Sequence, residues 1–380
     1  MSELVGADEQ QVRQAIGSAK RVLVKIGSSS LTSKRGLDED RIARLVSVLS
    51  DAKDAGREVV LVTSGAIAAG IHPLGMKKRP KDLAKQQAAA AVGQGLLGQR
   101  YTELFAERGI TIAQVLLTVE DITRQTTYRN ALRALGTLIR LGVIPVINEN
   151  DTVATHEIRF GDNDRLAALV AELVRADAVI LLTDVDGLYT AHPSEPGATK
   201  ITFVGANAEL EVDTHRLGSN VGSGGMTTKV QAAGIATSAG IPVLLAHADQ
   251  MAEALAGEEV GTAFAPIDHT RPHRLLWLAH ATEPLGSLTL DEGATRAILQ
   301  RKASLLAAGI TEFSGNFRAG DPVDLIDSKG RVIAKGFVSY DAGCLPEMLG
   351  RNSAILGKEL GDDFTRPVIH RDDLMVLKRR

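Results

Sequence analysis

The hydrophobic positions of the chain keep one rhythm as far as about Thr262 and then lose it. In the first part, short apolar runs alternate with longer stretches whose apolar residues recur at helical spacing. Arg21 to Ile26 (RVLVKI) is a β-branched run that stops at Gly27. Glu58 to Val62 is closed by Thr63-Ser64-Gly65. Ile110 to Leu117, Val143 to Ile147, Ala178 to Leu182 and Ile241 to Leu245 are the later runs. Between them, Asp38 to Ala55 carries Ile42, Leu45, Val46 and Leu49 on one helical face. Stretches from about Pro80 to Arg108, Glu120 to Leu141, Asn163 to Ala176 and Met226 to Ala239 also read as helices. Strand and helix in alternation predict parallel strands joined by crossover helices, an α/β fold. A run such as AVILL at 178–182 has no polar face and predicts burial on both sides of the sheet.

Beyond Thr262, Ala265-Pro266 and Arg271-Pro272 bracket a Pro/His segment that reads as a linker. From about Leu285 the runs are short and punctuated by glycine. Val323 to Ile326 and Val332 to Val338 predict strands around the turn Asp327-Ser328-Lys329-Gly330. Ala294 to Ala307 is the one helix expected in this mostly β module. The predicted organisation is therefore an N-terminal extension (1–19) of unassigned role and an α/β domain (20–264). A linker (265–279), a β module (280–370) and a tail (371–380) follow.

Composition narrows the function classes. With 380 residues the chain is too long for one ordinary domain. It is 44% hydrophobic and 23% charged, as soluble globular proteins are. Aromatics at 3% argue against a surface built on base or sugar stacking. From His280 onward Lys+Arg and Asp+Glu number 14 each, so the module is neutral and the net charge of −3 falls on residues 1–279. A neutral module lacks the gross footprint of a nucleic-acid binder. The single cysteine, Cys344, forms no internal disulfide and fits a reducing cytoplasm. No apolar run reaches a membrane span of about 20 residues, and the polar first twenty residues carry no secretory signal. The histidines are scattered, with His269, His273 and His280 in the linker, and no zinc-like spacing occurs. Trp277 is expected to pack the seam between domains.

The polar segments carry the chemistry. Lys25-Ile26-Gly27-Ser28-Ser29-Ser30 puts a lysine, a glycine and three hydroxyls at the end of the first strand, where ligands of open α/β sheets sit. Backbone N–H groups of such a turn face phosphate oxygens. The bland alternative is an ordinary turn with a solvated lysine. Thr63-Ser64-Gly65-Ala66 is a ligand-approach turn or a simple helix N-cap. Asn148-Glu149-Asn150-Asp151 follows a buried strand, and Gly161-Asp162-Asn163-Asp164 opens a helix. Together these two suit an amino-acid substrate or a lysine-organising network. Thr183-Asp184-Val185-Asp186-Gly187 follows another buried strand. Gly222-Ser223-Gly224-Gly225-Met226-Thr227-Thr228-Lys229 opens a helix, with Lys229 one turn in. This last segment is neither a Walker A loop, since G-x-x-x-x-G-K-[ST] is absent, nor G-x-G-x-x-G. Six such segments with lysines in the first and last describe a phosphoryl-transfer site without a P-loop.

These residues resemble the amino-acid kinase family, and within it the members that phosphorylate the γ-carboxylate of glutamate. The resemblance runs through VLVKIGSSSLT, VTSGAIAAG, PVINENDTVAT, FGDNDRLAALVA, LLTDVDGLYT and GSGGMTTKVQAA, over residues 20–262. The C-terminal module, with EPLGSLTLDEGATRAIL, resembles a PUA domain. The implied fold is a three-layer αβα sandwich with a mainly parallel sheet, plus a small mostly-β PUA-like domain. The implied reaction is ATP-dependent conversion of L-glutamate to L-glutamyl 5-phosphate, the first step of proline biosynthesis, with Mg2+ on the nucleotide and no protein ligand for it named. By motif, Lys25 and Lys229 contact phosphate and stabilise the transferred group, and Asp164 holds both lysines. Ser64, Asp151 and Asn163 match the glutamate contacts, with Asn148 and Asn150 as neighbours. Lys25, Thr183, Asp184 and Ser223, Gly224, Gly225, Met226, Thr227, Thr228 and Lys229 match the ATP site. The resemblance also implies feedback inhibition by proline, a homo-oligomer formed through the first domain, and a glutamyl-phosphate reductase as partner. Two other functions stay open: a different acceptor in the same family, and RNA binding through the PUA-like module.

Overall fold

Each continuous apolar run of the first part becomes a strand of one sheet. The computed structural model describes residues 4, 6–33, 36–123, 125–153, 162–191, 195, 197–206, 225–267, 284–301 and 303–377. Trp277, His269, His273 and His280 lie outside the described residues, as do Ser223 and Gly224. The chain divides into two units, Met1–Ile122 with Thr126–His269, and Thr123–Gln125 with Thr270–Arg380.

The first unit begins with α1 (Glu9–Gly17), β1 (Arg21–Ile26) and the small strands β2 (Thr32–Ser33) and β3 (Gly36–Leu37). Next come α2 (Glu39–Asp54), β4 (Glu58–Val62), α3 (Ala66–Ile71), α4 (Leu83–Glu107) and β5 (Ile112–Leu117). The chain continues through α5 (Val119–Thr123), α6 (Gln125–Arg140), β6 (Ile144–Glu149), α7 (Asp162–Val174) and β7 (Ala178–Thr183). After the short strands β8 (Leu188–Tyr189), β9 (Lys200–Ile201) and β10 (Phe203–Val204) come α8 (Met226–Ser238), β11 (Val243–His247), α9 (Met251–Ala256) and β12 (Thr262–Phe264). The eight-stranded sheet has the order β10-β12-β11-β7-β1-β4-β6-β5. All pairs from β11 to β5 are parallel, and β12 runs antiparallel to β11. Every residue of β7 is buried, as its unbroken apolar sequence requires. The helix expected from Pro80 starts at Leu83, where Asp82 caps it by accepting from the Lys85 N–H at 3.0 Å.

The register brings the strand ends into line. Lys25 lies opposite Val62 and Leu181, Val62 opposite Ile147, and Thr183 opposite His247. Asn148, near the end of β6, and Thr63, Gly27 and Asp184, just past their strands, therefore line the carboxyl edge of the sheet, the edge where open α/β sheets bind ligands.

Residues 1–19 contribute a packed helix. Asp8 and Gln11 form a reciprocal capping box, and Val12 and Ile16 are fully buried. Arg13, also buried, donates to the carbonyls of Glu258 and Val260 at 2.7 Å and to Thr202 at 3.2 Å. Gly257, at φ +75°, lets α9 approach so closely that a Cβ there would lie 2.2 Å from the Arg13 carbonyl oxygen.

The second unit is a five-stranded sheet of order β14-β13-β15-β16-β17, from β13 (Gly286–Leu290), β14 (Ile310–Gly315), β15 (Pro322–Ile326), β16 (Val332–Phe337) and β17 (Leu374–Val376). The β15–β16 turn is held by the Asp327 carboxylate, which accepts from the N–H groups of Lys329 and Arg331 at 3.0 Å, with Gly330 at φ +77°. Three expectations need correction here. The helix expected at Ala294–Ala307 spans Glu292–Arg301, because Leu305 bridges to Ile369 and pulls the chain out of the helix. A second helix, Ser353–Leu360, is present. Within the segment expected as a tail (371–380), Leu374–Val376 pairs with β16. Among the described residues no helix is long and apolar enough to cross a membrane.

One buried group in the first unit is unrelated to the strand ends. Glu172 on α7 is 8% exposed, and among the described residues its carboxyl has no ion pair or hydrogen bond. Burial pushes its pKa up to about 8 from an ordinary 4.5. Between those values the folded chain holds one proton more than the unfolded chain, so this group's stability contribution falls as pH rises through the window and is lost above it. Glu172→Gln removes the titration. Urea unfolding should show the variant gaining on the wild type by a few kcal/mol between pH 5 and pH 9. An equal difference at both pH values would mean that Glu172 is already ionised in the fold.

Candidate active site

Asp164 is the centre of the carboxyl edge. It lies in the first turn of α7, is 1% exposed, and takes two lysines from different elements. The Lys25 ammonium, at the end of β1, forms an ion pair with Oδ1. Lys229, in the first turn of α8, reaches Oδ2 at 3.3 Å. The Thr228 hydroxyl donates to the same Oδ2 at 2.9 Å. Burial raises the Asp164 pKa, but the two lysines and the hydrogen bonds outweigh it and hold the carboxyl below its usual range. Lys25 moves down from the ordinary lysine value, first because it is buried and further because Lys229 is near; Asp164 and Asp184 oppose the shift.

Beside this charge cluster stands a neutral one. Asn163 precedes Asp164 on α7, and its Nδ2 donates to the Ser64 hydroxyl at 2.9 Å and to Asn148 Oδ1 at 3.2 Å. Asn148, 1% exposed, takes a second bond from the Glu149 N–H at 2.9 Å and donates through Nδ2 to Gln94 Oε1 at 2.7 Å. Asn163 Oδ1 is a buried acceptor without a hydrogen-bond partner among the described residues. Asp151 stands slightly apart, in the turn Asp151–Val153, where its charge acts on the half-buried Arg79.

Thr183 is buried and donates to Asp184 at 3.0 Å, while Asp184 is exposed and faces Lys25 electrostatically. Gly225 precedes α8 in extended backbone without a side-chain cap, the Thr228 N–H turns back to its carbonyl at 3.0 Å, and Gly225, Met226, Thr227 and Thr228 form the N-terminal end of a 13-residue helix. Lys25, Asp164, Lys229 and Thr228 are thus brought together, as are Ser64 and Asn163. Ser223 and Gly224 fall outside the described residues. Sequence reasoning missed Gln94 and Arg79. Gln94 follows an Ala-rich helical run and carries no strand-end signal; Arg79 is one of several basic residues in an exposed-looking loop.

Helix α4 clamps both the turn and the strand behind this cluster. Gly70 and Gly93 meet where α3 crosses α4; a Cβ on Gly93 would lie 1.8 Å from the Ala66 carbonyl oxygen. Two turns further along, the buried Tyr101 hydroxyl bonds Thr63 Oγ1 at 2.9 Å.

Buried lysines around one carboxylate, at the carboxyl edge of a parallel sheet and beside a helix N-terminus, have the chemistry that suits a phosphorylated ligand. The chain belongs to the amino acid kinase family, whose model matches residues 20–247, and residues 286–359 match the PUA domain. It is 55% identical to the glutamate 5-kinase of Streptomyces avermitilis over 96% of this chain and 99% of that one. It is 54% identical to the glutamate 5-kinase of Thermobifida fusca, covering 98% and 97%. Against that of Salinispora arenicola it is 56% identical, covering 96% and 100%. Among solved structures, the carbamate kinase from Giardia lamblia bound to AMP-PNP shares the fold, with a TM-score of 0.50 and 16% identity over 66% of this chain and 99% of that one.

Gly93→Ala tests the clamp. The added methyl has no room and should cost about 1–3 kcal/mol of stability, read from the urea unfolding midpoint. An unchanged midpoint would show that α3 and α4 are free to separate.

Proposed function

We infer that this protein catalyses the glutamate 5-kinase reaction: ATP and L-glutamate give ADP and L-glutamyl 5-phosphate, the opening step of proline biosynthesis. One observation carries the assignment beyond the family. Asn163 and Asp164 are consecutive on α7, yet Asn163 belongs to the neutral cluster and Asp164 to the lysine cluster. Adjacent Cα atoms are only about 3.8 Å apart, so an acceptor held by one cluster lies next to a phosphoryl group held by the other.

The neutral cluster suits an amino acid. Ser64 Oγ accepts from Asn163, which leaves its own proton to donate to a carboxylate. Asn163 Oδ1 is a buried acceptor suited to an ammonium group. Asp151 adds a negative charge on the same side. The substrate γ-carboxylate is ionised at neutral pH, with an intrinsic pKa of about 4.3, and attacks phosphorus without a protein base. The bond to the ADP oxygen breaks as the new P–O bond forms. Lys25 and Lys229 stabilise negative charge on the transferred group, and the N–H end of α8 holds nucleotide phosphate. Thr183 and Asp184 border the same nucleotide site.

Magnesium fits as an ion that arrives with ATP: Asp164 is occupied by the lysines, and no group of three metal-ligating side chains occurs among the described residues. When bound with the nucleotide, it would offset the negative charge of the phosphates.

Feedback by proline, a cytoplasmic location and transfer of the labile product to a glutamyl-phosphate reductase belong to the same proposal. So does self-association of the first unit, supported by the sheet-edge strand β5 and the exposed Leu116, Leu132 and Leu141.

Trapping the acyl phosphate with hydroxylamine tests the reaction. Glutamate should yield hydroxamate with ATP, and proline should suppress it; a clear preference for N-acetylglutamate or aspartate would overturn the substrate. Lys229→Ala should lower turnover by about 10²-fold or more, since it removes a charge that acts on the transferred group. Near-normal turnover in that variant would remove Lys229 from the catalytic group.

A further inference from the structure

Gln94 enters the neutral cluster from a helix rather than from a strand end. It sits in the middle of α4, beside the Gly93 crossing with α3 and two turns before Tyr101. Its carbonyl is therefore carried by a helix pinned on both sides.

The direction of each bond in the cluster follows from one backbone group. A main-chain N–H only donates, so the Asn148 atom 2.9 Å from the Glu149 nitrogen is Oδ1. Asn148 Nδ2 then faces α4, where Gln94 Oε1 accepts at 2.7 Å. With Oδ1 turned away from α4, the group facing it at 3.2 Å must be a donor, which fixes Asn163 Nδ2 there. The second Nδ2 proton of Asn163 goes to Ser64. What is left for a ligand is one donor, the Ser64 hydroxyl, and one acceptor, Asn163 Oδ1.

We propose that Gln94 is a positioning residue for the acceptor: by holding Asn148 Nδ2 it steadies the Asn148–Asn163–Ser64 chain, whose donor and acceptor ends the Glu149 N–H sets, and so raises the affinity for the amino-acid substrate. The proposal rests on glutamate as the acceptor. Without an acceptor on α4, Asn148 Nδ2 loses its partner and the Glu149 N–H alone holds the amide. Asn163, which donates to Asn148 Oδ1, is then held less firmly, and the ligand meets a looser donor and acceptor pair. The lysine cluster is untouched, because none of its bonds passes through Gln94.

Two variants separate positioning from packing. Gln94→Leu keeps the side-chain bulk and removes the acceptor; Gln94→Glu keeps an acceptor at the same reach. Hydroxamate kinetics should show the KM for glutamate raised about tenfold or more in Gln94→Leu, the scale of one buried hydrogen bond. The KM for ATP should stay within about twofold, and Gln94→Glu should recover most of the glutamate KM. An unchanged glutamate KM in Gln94→Leu, equal damage in both variants, or parallel rises in both KM values would overturn the proposal. A second readout needs no substrate. With asparagine side chains labelled by 15N, the Asn148 amide protons should exchange slowly in the wild type and in Gln94→Glu, and quickly in Gln94→Leu. If the wild type makes no hydroxamate from glutamate, the acceptor assignment fails, and these exchange rates still decide whether Gln94 holds Asn148.

Discussion

Two ammonium groups buried at one edge of a sheet repel each other, and the Asp164 carboxylate lets the fold keep both. Lys25 arrives from a strand, Lys229 from one helix and Asp164 from another, so the ion triad ties three elements at the point where their ends converge. Breaking such a triad by removing its central charge takes the shared counter-ion from two buried cations, a loss on the scale of about 3–5 kcal/mol for a buried pair. Its use is therefore local. The first domain carries the whole net charge of −3, and the positive field that a nucleotide needs is concentrated at two residues rather than spread over a surface.

The neighbouring cluster has no net charge and works by direction. Asn148, Asn163 and Ser64 present chosen donors and acceptors because α4 stands behind them. That helix is fixed by the glycine crossing with α3 and by the Tyr101–Thr63 bond. In the proposed reaction, charge selects the phosphoryl donor, hydrogen-bond direction selects the acceptor, and the step from Asn163 to Asp164 joins the two.

The sheet was legible because its strands are unbroken apolar runs with small or polar residues at their ends; RVLVKI and AVILLT admit little else. The strand-end segments were legible for the same reason, since polar residues after a buried strand need partners. What escaped had no such signal. Gln94 follows an Ala-rich run, and nothing in its spacing distinguishes it from Gln99. Arg13 looks like a solvated helix residue until Glu258 and Val260, far away in sequence, supply their carbonyls. The strand Leu374–Val376 is too short to show alternation, and Gly357 breaks the helical pattern of Ser353–Leu360. In each case a contact distant in the chain decided the outcome.

In the proposed reaction, Asp164 keeps Lys25 charged for the nucleotide. Burial lowers the Lys25 pKa and Asp164 opposes that shift, so removing the carboxylate charge lowers it further. Calorimetric titration of MgATP between pH 7 and pH 10 into the wild type and Asp164→Asn tests this directly. Affinity should fall as pH rises in both proteins, because neutral Lys25 no longer attracts phosphate, and the fall should begin at lower pH in Asp164→Asn. Coincident curves would contradict the claim.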